Sequence, residues 1–237
     1  MNNKRIGLKA AALMCVMSAL SGCSQKFEDV QDTVSLALFG HDDVVIAPAK
    51  IEDLPYASLY AKTDSSGQAF MVLGYASPSV SNLPRPEQNV QLKWLSANGE
   101  MLVTEFGRIV KTVNLLGGNL TASYSLDADP LALGLLNNST PYQWRRKVDW
   151  QPGSHSGYTL ESRFELQGEN TLMVNEKPVS TLHFIEYVHA PELNIRFENE
   201  FWLHPVSGKV MASQQTPAPG LASIEITILK PFAGVSE

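Results

Sequence analysis

Residues 158–167 read "YTLESRFELQ", and their alternation decides the class of fold. Leu160, Phe164 and Leu166 fall on one side of an extended chain, with Glu161, Arg163 and Glu165 on the other. One apolar side at a period of two describes a half-buried β-strand, because successive side chains of a strand point to opposite faces. The same pattern recurs in "IEITILK" (224–230), through Ile224, Ile226 and Ile228. By contrast, "QAFMVLGY" (68–75) is apolar on both faces, which marks a central strand.

Turn signals separate these segments. Ser65-Ser66-Gly67 follows "ASLYAK", Asn98-Gly99 divides "VQLKWLSA" from "EMLVTEF", and Ser207-Gly208 divides "FWLH" from "KVMASQQ". Asn-Gly between alternating segments is the strongest of these, since both residues tolerate positive φ. Pro78, Pro84 and Pro86 make 76–89 a loop, and "LLGGNL" (115–120) reads as a turn between strands. Asp129-Pro130 ahead of "LALGLL" can start a short helix near 130–136, with proline in its first turn. No composition break or internal repeat divides the chain beyond residue 22. The expectation is a mainly β fold: one antiparallel domain over 41–237, with a strongly curved or barrel-like sheet. Alternation alone leaves sandwich and barrel both open.

The N-terminus differs. Lys4, Arg5 and Lys9 precede an eleven-residue apolar and small run from Ala10 to Leu20, too short to span a membrane. A basic start, a short apolar core and small residues after it describe a secretory signal peptide over 1–22. Leu20-Ser21-Gly22-Cys23 resembles the bacterial lipobox, in which the cysteine sulfur takes diacylglycerol and its new amino group is acylated after cleavage. That reading removes Cys15, commits Cys23 to lipid, and leaves no thiol for a disulfide or a metal. Two or more acyl chains suffice for stable anchoring. Ser24, rather than aspartate, as the second mature residue implies outer-membrane sorting by resemblance to Gram-negative lipoproteins. Between anchor and body, Phe27, Val30, Val34, Ala37 and Leu38 share one face of an amphipathic helix over 25–39, within a tether of 23–40. Its acidic residues Glu28, Asp29 and Asp32 favour docking on the body over lying on an anionic bilayer.

The chain has 18 basic and 24 acidic residues among 237, and three of the basic ones lie in the signal segment. So acidic a balance argues against nucleic-acid binding, which needs a basic footprint. The sequence carries no G-x-S-x-G, H-E-x-x-H, phosphate loop or dinucleotide fingerprint. His183 and His189 share a strand face but stand about 20 Å apart at ~3.3 Å per residue, too far for one metal ion. Glu161 with Glu165, or Glu198 with Glu200, meets the carboxylate spacing of a glycosidase, yet so do acidic pairs on any solvated sheet face. Cations beside aromatics are more informative. "YQWRRKVDW" (142–150) places Trp144 and Trp150 beside Arg145, Arg146 and Lys147, a set suited to stacking on sugars and forking onto their carboxylates. The ordinary alternative is a core tryptophan with a solvated basic turn. Asn199 falls on the face of Phe197, Phe201 and Leu203, where a polar group must find a hydrogen bond.

Several segments taken in order — "LPYASLYAK" (54–62), "QAFMVLGYA" (68–76), "GRIVKTVNLLGGNL" (107–120), "NEFWLHPVSGKVMASQQTPAPG" (199–220) and "IEITILKP" (224–231) — resemble the YjbF/GfcB family of lipoproteins. The resemblance covers about Val30 to Phe232. It implies a part in exopolysaccharide or group 4 capsule production, beside an outer-membrane β-barrel protein and a periplasmic companion, without catalytic residues or a cofactor. Within the family segments, Arg108 and Lys111 of "GRIVKT" are the leading candidate contacts, on opposite faces of a strand, together with Trp202 of "NEFW". The expected role is a lipid-anchored, non-enzymatic accessory protein facing the periplasm. The rivals are a β-barrel carrier of an apolar ligand, which needs a continuous apolar cavity, and a polysaccharide-modifying hydrolase, which needs two acids converging in a cleft.

Overall fold

The computed structural model describes residues 43–64, 66–79 and 90–234. The signal peptide, Cys23 and the helix expected over 25–39 lie outside the described residues. The body is mainly β, as its alternation foretold. Twelve strands form one sheet: β1 (Ser58–Thr63), β2 (Ser66–Pro78), β3 (Val90–Ser96), β4 (Met101–Glu105), β5 (Arg108–Val113), β6 (Asn119–Tyr124), β7 (Gln143–Gln151), β8 (His155–Val174), β9 (Lys177–Ala190), β10 (Ile195–Leu203), β11 (Val210–Gln215) and β12 (Ile224–Lys230).

The sheet order is β5-β4-β3-β2-β1-β12-β11-β10-β9-β8-β7-β6, and every pairing is antiparallel. Most strands therefore pair with their sequence neighbours, the economical outcome for short connections. The exception is β1 with β12, which bends the meander round into a nearly closed barrel. Its seam lies between β5 and β6, where side chains take over from the ladder. Leu120 donates its backbone N–H to Thr112 Oγ1 (3.0 Å), Thr112 Oγ1 donates to Asn119 Oδ1 (3.2 Å), and Leu115 N–H donates to the same Asn119 oxygen (3.0 Å).

Three apolar groups fill the body. The inner one includes Leu59, Met71, Trp94, Leu102, Leu120 and Leu160. A second gathers Phe164, Phe184, Phe201 and Leu203 under Leu131 and Leu135 from the long β6–β7 connection. The third lies on the opposite face of β1 and β2, where Phe70, Val72 and Leu229 are covered by Ile51 and Val174. This double covering is why "QAFMVLGY" is apolar on both sides. Ile51 belongs to α1 (Pro48–Asp53), a helix too short for a 3.6-residue period to betray it. Lys230 ties down its end by donating to the carbonyls of Glu52 (2.9 Å) and Leu54. The second helix, α2 (Pro130–Leu133), stands where Asp129-Pro130 placed it, with the Asp129 carboxylate accepting from Leu131 N–H at 2.9 Å.

Four expectations need correction. Leu166 is 48% exposed, because β8 pairs with β7 only as far as Gln143↔Arg163. Beyond a bulge at Leu166/Gly168 it continues with β9 alone, as a two-stranded arm whose tip reaches α1. Residues 76–78 are strand rather than loop: Pro78 ends β2 opposite Val90, a position where a missing N–H is tolerated. The basic run 145–147 is no turn but the middle of β7, with Arg146, Val148 and Trp150 buried and Arg145 and Lys147 exposed. Finally, the first hairpin turns one residue early, with Ser66 already in β2.

Candidate functional site

The β4–β5 hairpin turns through Phe106 and Gly107, both at positive φ (49° and 88°). This turn is pressed against β11. A Cβ added to Gly107 would lie 2.5 Å from Val210 Cβ, and Gln215 donates to the Gly107 carbonyl (2.8 Å) while accepting from Ile109 N–H (3.0 Å). Arg108, the next residue, is thereby held with its side chain inside the barrel, only 2% exposed.

There it joins a closed ionic cluster. Arg108 Nη1 donates to Glu186 Oε2 (2.9 Å), and its Nε and Nη2 grip the Asp129 carboxylate, the latter at 3.2 Å. Arg146 Nη1 donates to Glu186 Oε1 and to Ser162 Oγ, both at 2.8 Å. Asn199 Nδ2 donates to Glu186 Oε2 (2.8 Å), and its Oδ1 accepts from Thr216 N–H (2.8 Å). The Trp144 ring lies 4.8 Å from the Arg108 guanidinium carbon and 4.9 Å from that of Arg146, with its indole N–H donating to the Asp127 carbonyl at 3.1 Å. Two guanidiniums balance two carboxylates, as burial of charge requires.

Burial alone would raise the Glu186 pKa, but Arg108 and Arg146 hold it well below the usual carboxylate range. For Arg108 burial opposes the charge, and Asp129 with Glu186 more than offsets it, holding the pKa above the ordinary arginine value. Arg146 is held below its ordinary value by burial, against the pull of Glu186. Both Glu186 oxygens are occupied by donors and the group is held ionised. Chemically this carboxylate is a strut rather than a proton donor.

Of the residues singled out by sequence, the structure brings together Arg108, Trp144 and Arg146. Arg108 and Arg146 are buried and bonded within the fold rather than presented to a partner, with the half-buried Trp144 ring against both. Lys111 is exposed on β5, apart from them. Arg145 is exposed on the outer face of β7, paired with Glu161 at 2.7 Å. Trp202 lies on the outer face of β10, stacked on His183 with centroids 4.8 Å apart and planes 5° from parallel, and His183 Nε2 meets Glu200 Oε2 at 2.7 Å. Glu186 and Asp129 were not foreseen. For Glu186 a signal existed: in "HFIEYVH" it shares a face with Phe184 and Val188, and a charge on an apolar face needs a partner. Among the described residues, no group of three or more His, Cys, Asp or Glu is placed to hold a metal ion.

Comparison with known proteins accords with this architecture. The family described as group 4 capsule polysaccharide lipoprotein gfcB, YjbF matches residues 31–229. The chain is 32% identical over 215 residues to the uncharacterized lipoprotein GfcB of Escherichia coli (strain K12), covering 90% of this chain and 94% of that protein. It is 29% identical over 229 residues to the uncharacterized lipoprotein YjbF of the same strain, covering 94% and 98%. The crystal structure of the hypothetical lipoprotein YmcC from Escherichia coli (K12) superposes with a TM-score of 0.67 at 32% identity, over 79% of this chain and 90% of that one. With sequence and fold both matched along most of its length, this chain belongs to the GfcB/YjbF family of group 4 capsule polysaccharide lipoproteins.

Proposed function

We propose that the protein is a non-enzymatic, lipid-anchored accessory factor in capsule or exopolysaccharide secretion. Residues 1–22 direct export, lipid on Cys23 holds the body at the periplasmic side of the outer membrane, and the β-rich body works by contact. Its partners are an outer-membrane β-barrel protein, a periplasmic companion and the polysaccharide itself. The observation that carries this reading is the saturated ionic cluster. Its charges are spent on one another, so the barrel is braced as a rigid body whose outer surface is left for contacts. The same cluster speaks against an apolar carrier. A continuous apolar cavity is hard to reconcile with Arg108, Arg146 and Glu186 at the centre, beside the packed rings of Phe164, Phe184 and Phe201.

The test is complementation of a deletion strain with wild-type and Cys23→Ala forms, scoring surface polysaccharide, with mass spectrometry of the mature N-terminus. Wild type should restore the polysaccharide and carry acylated Cys23, whereas Cys23→Ala should be released from the membrane and fail. Full rescue by Cys23→Ala would overturn the anchored role.

A further inference from the structure

An open cleft of about 830 Å³ runs across four of the strands that hold the ionic cluster, lined by the outward Arg145, Arg163, Tyr187 and Arg196 and also by Trp144 and Asp127. We propose that this cleft, across β7 to β10, binds an acidic glycan, a polysaccharide segment bearing carboxylate sugars, with Arg196 as the carboxylate anchor and Tyr187 as the stacking surface.

The register builds the floor in two rows. Arg145, Glu161, His189 and Arg196 follow one another across the strands, and beside them run Gln143, Arg163, Tyr187 and Glu198. At about 4.8 Å between strands the rows are about 14 Å long, the scale of a short oligosaccharide rather than of a single small ion. The cleft volume falls within the range of ligand sites, about 300–1,000 Å³.

Charge pairing within the rows leaves Arg196 and Glu198 without ion pairs, and of these two Arg196 is the group that can take an anionic ligand. Arg145 is paired with Glu161 at 2.7 Å, and Arg163 with Glu165 at 2.8 Å. Arg196 is exposed and, alone among the arginines of the described residues, has no ion pair or hydrogen bond. A free guanidinium presents a fork matched to a carboxylate, in a geometry that lysine cannot reproduce. The Gln143 amide and the Tyr187 hydroxyl, likewise without hydrogen bonds, remain for sugar hydroxyls. The Arg163 guanidinium carbon sits over the Tyr187 ring, 4.9 Å from its centre, a cation–π contact that covers one face of the ring, holds it in place and leaves its other face and edge for a sugar.

The floor is also fixed from behind. Arg146, Ser162, Glu186 and Asn199, one on each of the four strands, are bonded to one another directly beneath it. Strands locked in this way do not need ordering when ligand arrives, which lowers the cost of binding. That gives the buried cluster a consequence at the surface.

This assignment rests on the polysaccharide reading above, and its test separates the two. The full-length mature protein in detergent is titrated calorimetrically with hexagalacturonate and, separately, with neutral maltohexaose. Hexagalacturonate should bind saturably and at least tenfold more tightly than maltohexaose, more weakly as salt is raised. Arg196→Ala should reduce that affinity at least tenfold and Tyr187→Ala severalfold, each with an unchanged thermal midpoint. Lys177→Ala, on the arm and outside the cleft, should bind like wild type. Absence of saturable uronate binding, equal binding of the two sugars, or an Arg196→Ala protein that binds like wild type would overturn the assignment. If uronate binding is absent while Cys23→Ala still fails to complement, the cleft assignment falls and the accessory role stands.

Discussion

Glu186 is the residue on which the interior charges depend, since it alone touches Arg108, Arg146 and Asn199. Glu186→Ala should cost about 3–5 kcal/mol in urea unfolding, because it leaves two guanidiniums buried without their shared partner. Its titration gives a second check. A glutamate in the unfolded chain has a pKa of about 4.3, and in the folded protein Arg108 and Arg146 outweigh burial and hold Glu186 lower. Below pH ~4.3 the unfolded chain therefore binds the proton first. The stabilisation is present above that pH and is lost as pH falls through the folded value. The thermal midpoint of wild type should fall between pH 6 and pH 3, and that of Glu186→Gln should fall less over the same interval. Equal slopes would remove Glu186 from the acid response. At this scale the site was half legible. The sequence shows that Arg108, Trp144 and Arg146 are cations and an aromatic worth noticing, and that Asn199 needs a partner. It does not show that Arg108 points inward, because that orientation is imposed by a turn wedged against a strand about a hundred residues away.

At the scale of elements, that wedged turn can be tested against a free one. Gly107 and Gly99 both sit at positive φ in hairpin turns, but an added Cβ at Gly99 meets nothing, whereas at Gly107 it meets Val210. Gly99→Ala should cost about 1–2 kcal/mol for the left-handed backbone alone. Gly107→Ala should cost a further 1–3 kcal/mol or so for overpacking. Equal urea midpoints for the two would show that the hairpin tip can shift away from β11 freely. The arm offers a similar contrast. Ile51→Ala should cost about 2–4 kcal/mol, since the side chain is fully enclosed beneath Val174 and beside Phe70. Lys177→Ala, which removes only an exposed pair with Glu52, should leave the urea midpoint unchanged. Asn98-Gly99 and Ser207-Gly208 announced their turns because a turn is a local event. The departure of β8 from the barrel was silent, because its partners in the arm, Ile51 and Leu229, are remote in sequence.

At the scale of the whole molecule, alternation predicted the class of sheet but not how it closes. Closure joins β1 to β12, whose partners Ser58 and Lys230 are farther apart in sequence than any other paired residues of the described strands, and no local pattern records such a pairing. The even number of strands makes it possible, since a meander returns to its start antiparallel only after an even count. What the meander leaves unsolved is the seam between β5 and β6, two neighbours in sequence that meet through side chains. If Thr112 is the clasp there, Thr112→Val should act well beyond its size. The shapes are nearly equal, but the buried Leu120 N–H loses its acceptor, which costs about 1–3 kcal/mol. The loss should also be local: Leu120 should exchange its amide hydrogen much faster than in wild type, while Ile226, in the β11–β12 ladder, keeps its protection. Thr227→Val serves as the control, because its strand is held on both sides by backbone pairing. Unaltered protection at Leu120 would mean that the barrel closes without the hydroxyl. Faster exchange confined to that amide would locate the weak line of the wall at one threonine.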